Sequence, residues 1–472
     1  MWVAAICLAL LLFASVLLVR GLRFVPRETV SLPGEEIPID EARAVEHLQG
    51  MLRCRTVSAP EERDEGEFVK FRALLPEYYP RTFAVCETER VDSTGLLLRW
   101  PGKSPKDPAV LLAHYDVVPA GEEGWAHPPF AGVLEDGVLW GRGALDMKNQ
   151  LCGVLEGMEH LISTGFVPAR DVYFALSGEE EIMGPTASSI RDLFRQRGIT
   201  PAFVLDEGGD VMDGILPGTD VTCAMVGVGE KGVANLWFTA KSAGGHASVP
   251  TGDNPLPRLC RAMTRIGTFP QRSTLALEAM VDALGRYTPF PTRVLLANRD
   301  LLRPLYFRYL RRVGGMMEAA SRTTFALTMA SGSAQGNMIP AKGEMFANLR
   351  LLWGDTTDSV VEELHRRIGD PGVEIRRVAC TDPRPDSRMT RGWPELCRAI
   401  HATWPQAVVT PYPMVACTDS RHWRDICDNV YRFSAKAVTG AEKATVHGVG
   451  ERIRTENTGN AARFFVRLLE QC

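Results

Sequence analysis

A histidine and an aspartate stand two positions apart where an apolar run of the chain ends. The run is LLAHYDVVPA, residues 111–120, and it contains His114 and Asp116. Side chains two positions apart on a strand project to the same side. A carboxylate beside an imidazole fixes the tautomer and raises the basicity of the ring, which suits a metal-ligating histidine. Taken alone, however, such a pair is more often part of a hydrogen-bonded turn.

Further carboxylates follow at similar points of the chain. Asp146 lies in the segment GRGALDMK, three glutamates begin at Glu179, and Asp206 follows the run AFVL. Carboxylates brought together at one rim repel each other unless a cation or a proton neutralises them. Oxygen and imidazole ligands suit Zn²⁺, Mn²⁺ or Co²⁺, and two such ions about 3.5–4 Å apart can share a carboxylate. The sequence therefore favours a two-metal hydrolytic site.

The elements that would position these groups alternate between strand and helix. Apolar runs ending in AHYD, SGEEE and LDEGG are separated by two amphipathic segments, MKNQLCGVLEGMEHLIST and TASSIRDLFRQRG. This order predicts a parallel sheet with helices on both faces. Ligands of such sheets bind beyond the carboxyl ends of the strands, and each of these ends carries a carboxylate or an imidazole. We therefore predict an α/β fold with a mostly parallel sheet flanked by helices.

A second unit interrupts this pattern. Beyond residue 222 the strands and helices follow an α+β order with an additional helical stretch at 268–320, and the last part of the chain completes the first sheet. We predict the following division of the chain: N-terminal segment 1–22, linker 23–40, catalytic domain 41–222 with 381–472, and inserted domain 223–380.

The N-terminal segment is apolar enough to span a membrane. No charged side chain precedes Arg20, and nineteen residues at a rise of ~1.5 Å would cover roughly 28 Å of a bilayer. A removable signal peptide, which would leave a secreted protein, needs a basic start and a small-residue cleavage site, and neither is clear. We therefore predict a single-span anchor. Arg20, Arg23 and Arg27 follow the span and favour a cytoplasmic body.

Composition excludes several classes of protein. The chain has 472 residues and a net charge of -4, with no block of lysine and arginine interleaved with aromatic residues. It offers no basic field for a phosphate backbone, so nucleic acid is not an expected partner. The 11 cysteines include no CxxC pair, which indicates neither a zinc ribbon nor a disulfide framework.

Eight ordered motifs carry a resemblance to a known family. They are HYDVVPAGEEGW, GRGALDMKN, EEE followed by GPTAS, VLDEGG, GGHAS, GNMIP, TDSRH and HGVGERI. Over about residues 40–470 the chain resembles the metal-dependent amidohydrolases and exopeptidases that include aminoacylase, carboxypeptidase S and glutamate carboxypeptidase. It is most similar to the branch of N-fatty-acyl-amino-acid synthase/hydrolases and carboxypeptidase S. The resemblance implies a di-zinc exopeptidase-like domain, with the inserted domain as a lid and as the contact of a homodimer.

The resemblance also implies ligands for two divalent metal ions, with zinc preferred over cobalt or manganese. His114, Asp146 and Asp206 would hold one ion. Asp146, Glu181 and His447 would hold the other, so that Asp146 would bridge the two.

Further roles follow from the same resemblance. Relatives have a glycine three positions after the second member of their acidic pair, and Gly184 makes Glu181 that second member. Glu180 would then be the general base. Asp116 would orient the histidine of the first ion. His246 from the inserted domain would donate to the developing oxyanion, and in dimeric relatives this histidine comes from the partner subunit.

A free α-carboxylate on the substrate would need a cationic partner. Arg421 with Thr418, and Arg350 with Asn337, are candidates, because a guanidinium binds a carboxylate through two hydrogen bonds. The reaction implied is hydrolysis, or condensation in reverse, of the amide bond of N-acyl amino acids, fatty acyl groups included, or hydrolysis of C-terminal peptide bonds.

Two alternatives remain. A dipeptidase or carboxypeptidase of small peptides would use the same site, whereas an inactive binding or scaffold protein is disfavoured because all five ligands and the base are present. The resemblance favours an exported body, against the three arginines that follow the span and the unpaired cysteines. We expect the extracytoplasmic side, which protease protection in sealed membranes tests.

Overall fold

Two main sheets, two small ribbons and the helices packed on them make up the described part of the fold. The computed structural model describes residues 2–27, 34–250 and 252–472, so residue 1 of the predicted N-terminal segment and residues 28–33 of the predicted linker lie outside the described residues. The helices are α1 (Trp2–Arg23), α2 (Glu41–Leu52), α3 (Glu65–Tyr78), α4 (Pro80–Val85), α5 (Asn149–Ser163), α6 (Thr186–Gln196), α7 (Pro255–Ile266), α8 (Leu275–Leu284), α9 (Phe290–Ala297), α10 (Arg303–Val313), α11 (Gly315–Ala319), α12 (Thr357–Ile368), α13 (Trp393–Thr403), α14 (Gly440–Lys443) and α15 (Glu456–Leu469).

The strands form one large sheet and three smaller ones. They are β1 (Glu87–Val91), β2 (Gly95–Trp100), β3 (Ala109–His114), β4 (Val133–Glu135), β5 (Val138–Trp140), β6 (Val172–Ser177), β7 (Phe203–Asp213), β8 (Thr222–Glu230), β9 (Gly232–Lys241), β10 (Gly245–His246), β11 (Thr324–Ser331), β12 (Met338–Ile339), β13 (Lys342–Leu351), β14 (Val373–Thr381), β15 (Val408–Met414), β16 (Val430–Ala437) and β17 (Arg452–Arg454).

The large sheet has eight strands in the order β1-β2-β6-β3-β7-β16-β8-β15. Its central pairs β6–β3, β3–β7 and β7–β16 are parallel, as is β8–β15 at one edge. Alternate side chains of β3 enter two cores: one contains residues of α2, α3, α5, α13 and α15, and the other contains residues of α6. The prediction of a mostly parallel sheet flanked by helices is confirmed.

Continuous burial explains why these strands are central. All six residues of β3 and all six of β6 are buried, and strands buried on both faces are continuously apolar rather than alternating. Behind them, α5 packs closely on α15. A Cβ at Gly153 would lie 2.6 Å from the Cβ of Ala461, so the close approach of the two helices requires glycine at this position.

The second sheet begins later in the chain than the predicted boundary at residue 223. Strand β8 belongs to the large sheet, and the chain enters the antiparallel four-stranded sheet, of order β11-β13-β9-β14, only at Gly232. Helices α7 and α12 cover one face of this second sheet. The uninterrupted apolar pattern of residues 223–228 carries no signal of the change, because both sheets bury such strands.

The helical stretch predicted at 268–320 packs elsewhere than expected. Its helices α8 to α11 share a core with β8 and β15 at the edge of the large sheet, where Leu277 and Met280 pack with Met225, Tyr412 and Met414. The stretch is therefore an addition to the large sheet rather than part of the four-stranded one.

Helix α1 is apolar and exposed. Among the described helices, it alone is long and apolar enough to cross a membrane. A retained anchor and a removable signal both have this character.

Candidate metal centre

The sequence-predicted groups lie at the carboxyl ends of three adjacent strands. β3 pairs with β6 on one side and with β7 on the other. His114 is the last residue of β3, and the acidic triplet Glu179–Glu181 follows β6. The predicted Asp206 and its neighbour Glu207 lie on β7, just beyond its last parallel pair with β3. An irregular turn at Ala144–Lys148, between β5 and α5, brings Asp146 to the same rim. Parallel neighbours end at one edge, so the side chains converge there.

The first group joins one imidazole to two carboxylates. His114 Nε2 lies 3.1 Å from Asp146 Oδ1 and 3.2 Å from Glu207 Oε1. On the other side of the ring, Nδ1 lies 3.0 Å from the backbone oxygen of Asp116 and 3.4 Å from its Oδ1. These acceptors place the proton on Nδ1 and leave Nε2 free to bind a cation.

The second group uses the other oxygen of the same aspartate. His447 Nε2 lies 3.1 Å from Asp146 Oδ2 and 3.1 Å from Glu181 Oε2. His447 has a φ of 60°, a left-handed conformation that non-glycine residues adopt rarely and often at functional sites. Asp146 therefore contributes one oxygen to each group, which is the arrangement expected of a carboxylate shared between two ions.

The electrostatics of both groups favour a cation. Burial and the neighbouring Asp146 raise the pKa of Glu207 to about 8. Hydrogen bonds to Asp146 and Glu181 raise the pKa of His447 to about 10. Protons are thus retained where carboxylates crowd, and a divalent ion would replace them. Each group offers one imidazole nitrogen and two carboxylate oxygens within 4.8 Å of one another, a donor set that fits zinc, cobalt or manganese.

A third glutamate lies beside these groups without joining them. The backbone N–H groups of Glu180 and Glu181 donate to Asp116 Oδ1 and Oδ2, each at 3.1 Å. Glu180 Oε1 lies 3.5 Å from Arg421 Nη1. Glu179 is directed elsewhere, since its Oε2 accepts from the hydroxyl of Thr186 at 2.6 Å. Within the triplet, therefore, Glu181 faces His447, Glu180 faces Arg421 and Glu179 faces Thr186.

The profile of peptidase family M20/M25/M40 matches residues 110–471. The chain belongs to this family. It is therefore a hydrolase of the metallopeptidase class, as the sequence predicted, and its histidine and carboxylate groups are the residues that could hold metal.

Relatives of the M20 protein extend over most of its length. It is 32% identical over 437 residues to an N-fatty-acyl-amino acid synthase/hydrolase of Bos taurus, covering 90% of this chain and 87% of the relative. It is 31% identical to a probable carboxypeptidase S-like protein of Dictyostelium discoideum, covering 92% and 85%.

Solved structures agree with the M20 fold. Human carnosine dipeptidase 1 has a TM-score of 0.67 at 14% identity, with 91% of this chain and 96% of that chain covered. An M20 family metallo-carboxypeptidase of Sulfolobus solfataricus also has a TM-score of 0.67, at 16% identity, with 90% and 98% covered. At such identities the likeness shows the fold alone.

Asp206, predicted as a ligand of the first ion, does not join the first group of the M20 protein. Its Oδ2 accepts from the backbone N–H of Ser420 at 2.8 Å and its Oδ1 from that of Glu207 at 2.9 Å. Successive residues of a strand face opposite sides. Asp206 continues the face of Val204, which packs towards α6, whereas Glu207 continues the face of Leu205 towards α5 and the turn with Asp146. Glu207 thus occupies the place predicted for Asp206.

This geometry predicts different metal losses for two neighbouring substitutions. Glu207→Gln should lower the metal content of the purified protein from two equivalents to about one, because it removes a charged donor from the first group. Asp206→Asn should retain two equivalents, since its oxygens accept hydrogen bonds from backbone N–H groups instead. Metal analysis after dialysis measures both. The reverse pattern, with metal lost only from Asp206→Asn, would restore the original assignment.

Glu451 supports the metal centre, although the sequence did not predict this role. It is fully buried, and its Oε1 accepts from the backbone N–H groups of Leu145 at 2.8 Å and Asp146 at 3.2 Å. Its Oε2 accepts from Arg142 at 2.7 Å. Glu451 therefore holds the turn that presents Asp146. The sequence feature that could have predicted this role is the position of Glu451 in HGVGERI, four residues after His447.

Of the residues predicted to bind the substrate, some lie near the metal centre and others do not. Arg421 lies beside Glu180, but the hydroxyl of Thr418 donates to Glu230 at 2.7 Å. Arg350 is half-buried and donates from Nη1 to the Sγ of Cys417 at 3.4 Å, which ties β13 to the loop before Thr418.

His246 and Asn337 lie together on the small β10–β12 ribbon. The backbone N–H of Ala247 donates to Asn337 O at 2.9 Å, and the imidazole of His246 bonds to Ser248. Both residues are exposed, and none of their described hydrogen bonds reaches the metal groups.

Proposed function

We propose that this M20 protein hydrolyses the amide bond of N-acyl amino acids, fatty acyl groups included, with two metal ions. His114, Asp146 and Glu207 hold one ion, and Asp146, Glu181 and His447 hold the other. The observation that carries the proposal is the sharing of Asp146 between two histidine and carboxylate groups. The substrate class is supported by the names of relatives that are about 30% identical over nearly the whole chain.

The ions, when bound, supply Lewis acidity to the scissile carbonyl and acidify water. Glu180 is the base, because it lies at this rim and is not committed to either metal group. Burial and the charge of Asp419 raise the pKa of Glu180 above its ordinary value, so this carboxylate accepts a proton more readily than a solvated glutamate does. It takes the proton of the attacking water and delivers it to the leaving nitrogen.

Two acidic residues keep these groups in place. The backbone oxygen of Asp116 accepts from the His114 ring, and its carboxylate accepts from the backbone N–H groups of Glu180 and Glu181. Glu451 holds the turn that carries Asp146. Partners of this kind fix ligand orientation, and their loss commonly lowers metal affinity or activity about 10–100-fold.

The four-stranded sheet and its ribbon supply the substrate contacts in this proposal. His246 donates a hydrogen bond to the oxyanion. It reaches the site either when the second sheet closes over it or from a second copy of the chain. Asn337 lies beside His246 on the ribbon. Arg350 and Arg421 bind the free carboxylate of the amino acid, a pairing supported by the contact of Arg350 with Cys417, four residues before Arg421. Thr418 donates both its backbone N–H and its hydroxyl to Glu230. Its part in this proposal is to hold Arg421, whose Nη1 donates to the Thr418 carbonyl at 2.8 Å.

Peptide hydrolysis is the alternative function. Relatives named as carboxypeptidase S-like favour it. A dipeptidase must accept a free N-terminal amine, whereas an N-acyl amino acid has none.

A panel of substrates with one amino acid and varied acyl groups separates these functions. We expect kcat/KM for an N-oleoyl amino acid to exceed that for the N-acetyl compound by at least about tenfold, since each buried CH₂ contributes about 0.8 kcal/mol and 1.4 kcal/mol is tenfold. A dipeptide with the same C-terminal residue is the matched control. Equal rates for the two acyl groups would contradict the lipid specificity, and cleavage of the dipeptide alone would favour the peptidase.

Helix α1 is, in this proposal, a retained single-span anchor. Phe24 at its end is buried with α8 and α9, and the Arg286 guanidinium stacks on the Phe24 ring at 4.5 Å. A segment removed during export would leave this contact unfilled.

A further inference from the structure

One face of α1 is docked on α9. Leu17, Arg20, Gly21 and Phe24 follow helical spacing, and they are the residues of the second half of the segment that are not exposed. A Cβ at Gly21 would lie 2.5 Å from Val294 Cγ2, so the absence of a side chain at Gly21 allows the two helices to touch. The end of α1 is therefore fixed to the protein body, while Trp2–Val16 extends beyond the contact.

The two helices run in opposite directions. Gly21 lies beside Val294, whereas the backbone oxygen of Leu17 accepts from Asn298 Nδ2 at 2.9 Å. Arg20 forms a bidentate ion pair with Asp300, at 2.8 Å and 3.1 Å. Moving along α1 towards its N-terminus thus leads to the end of α9 and to the turn before α10. This turn therefore lies on the side of the body from which the free part of α1 extends.

The length of α1 determines how close this turn would lie to the membrane. Trp2–Val16 extends beyond the contact with α9 and, at ~1.5 Å per residue, covers about 22 Å. The hydrocarbon core of a bilayer is about 30 Å thick. Because the undocked part is about 8 Å shorter than this thickness, a spanning α1 would draw Leu17 and Asn298 to the membrane boundary, and the turn 298–302 with them.

The chemistry of this surface fits a lipid headgroup region. Leu301 and Leu305 are 46% and 54% exposed, although they are apolar. Arg303, Arg308 and Arg312 on α10 are exposed too, whereas Tyr306 and Leu310 on its other face are buried. Exposed leucines beside arginines are typical of segments that lie in the interface plane, with apolar groups at the acyl boundary and guanidinium groups at lipid phosphates.

We propose that the α9–α10 turn and the exposed face of α10 form a second membrane contact beside α1. Leu301 and Leu305 enter the acyl boundary, and Arg303, Arg308 and Arg312 bind the phosphates of phospholipid headgroups. This contact fixes the body on the bilayer surface instead of leaving it tethered by one helix. The proposal rests on α1 as a retained anchor and is independent of the substrate.

Site-specific photo-crosslinking of the full chain in phospholipid vesicles tests the contact. A benzophenone amino acid is introduced at Leu301 or Leu305, and at Leu327 or Val378 on the four-stranded sheet as controls. The controls match in exposure, at 46% and 54%. We expect phospholipid adducts, detected by mass spectrometry, at 301 and 305 and at least tenfold fewer at 327 and 378. Equal yields at all four positions, or adducts to a second copy of the chain at 301 and 305, would overturn the proposal.

The composition of the vesicles tests the arginines. Adding phosphatidylserine to phosphatidylcholine should increase the adduct at Leu305, because guanidinium groups near a surface are attracted to anionic lipid. The increase should be lost in the double variant Arg308→Gln, Arg312→Gln. An adduct yield that is independent of phosphatidylserine in the unsubstituted background would overturn the phosphate contacts. All readouts are adduct yields, so a failed substrate assignment leaves this test unaffected.

Discussion

Replacing Glu180 by glutamine is expected to lower kcat by about 10²–10⁴-fold, the usual contribution of a general base. Glutamine is nearly isosteric but cannot accept the proton of the attacking water. The two metal groups do not include Glu180, so the metal content of the variant should equal that of the wild type. Steady-state hydrolysis of an N-acyl amino acid and metal analysis of the same preparation measure the two quantities.

Glu179→Gln is the matched control for this substitution. Glu179 is the preceding member of the same triplet, but its carboxylate contacts Thr186 and Arg63 rather than the metal groups. We expect this variant to retain kcat within about tenfold. If Glu179→Gln were inactive and Glu180→Gln active, the general base would be Glu179 instead of Glu180.

Asp146→Asn is expected to have the second large effect. Asp146 lies 3.1 Å from His114 and 3.1 Å from His447 through its two different oxygens. Although burial opposes it, hydrogen bonds to these two histidines hold the pKa of Asp146 below its ordinary value, so the carboxylate is ionised and available to a cation. The amide removes this charge from both groups at once. Metal content should fall below one equivalent, and activity should fall by more than the 10–100-fold that loss of an outer partner costs.

An exposed aspartate provides the comparison for Asp146→Asn. Asp136 lies in the turn between β4 and β5 with a φ of 50°, a conformation that asparagine also tolerates. Asp136→Asn should retain two equivalents of metal and full activity. If Asp146→Asn also retained two equivalents, the aspartate would not be shared between ions and the two-metal assignment would fail.

The sequence predicted the large sheet because local and global patterns agree there. The buried strand β3 is a continuous apolar run that ends at His114, and α5 presents Leu151, Val154 and Leu155 at helical spacing to the core. Since the carboxyl ends of parallel strands share one edge, the convergence of the acidic groups followed from the order of the elements.

The choice between Asp206 and Glu207 was beyond the sequence. Both are acidic, they are adjacent, and the strand turns them to opposite faces, so the ligand depends on which face of β7 meets the turn with Asp146. The same limit applied to the stretch at 268–320. Its helices were predicted, but their place on the edge of the large sheet depends on contacts such as that of Leu277 with the core containing Tyr412. Contacts between distant segments leave no local pattern.

Metal stoichiometry of the wild-type chain tests the central claim most directly. The apoprotein is prepared with a chelator and titrated with zinc while bound metal and hydrolysis of an N-acyl amino acid are followed together. The shared Asp146 predicts saturation at two equivalents per chain and activity that appears only as the second ion binds. Saturation at one equivalent, or full activity in the metal-free protein, would contradict a two-metal hydrolase.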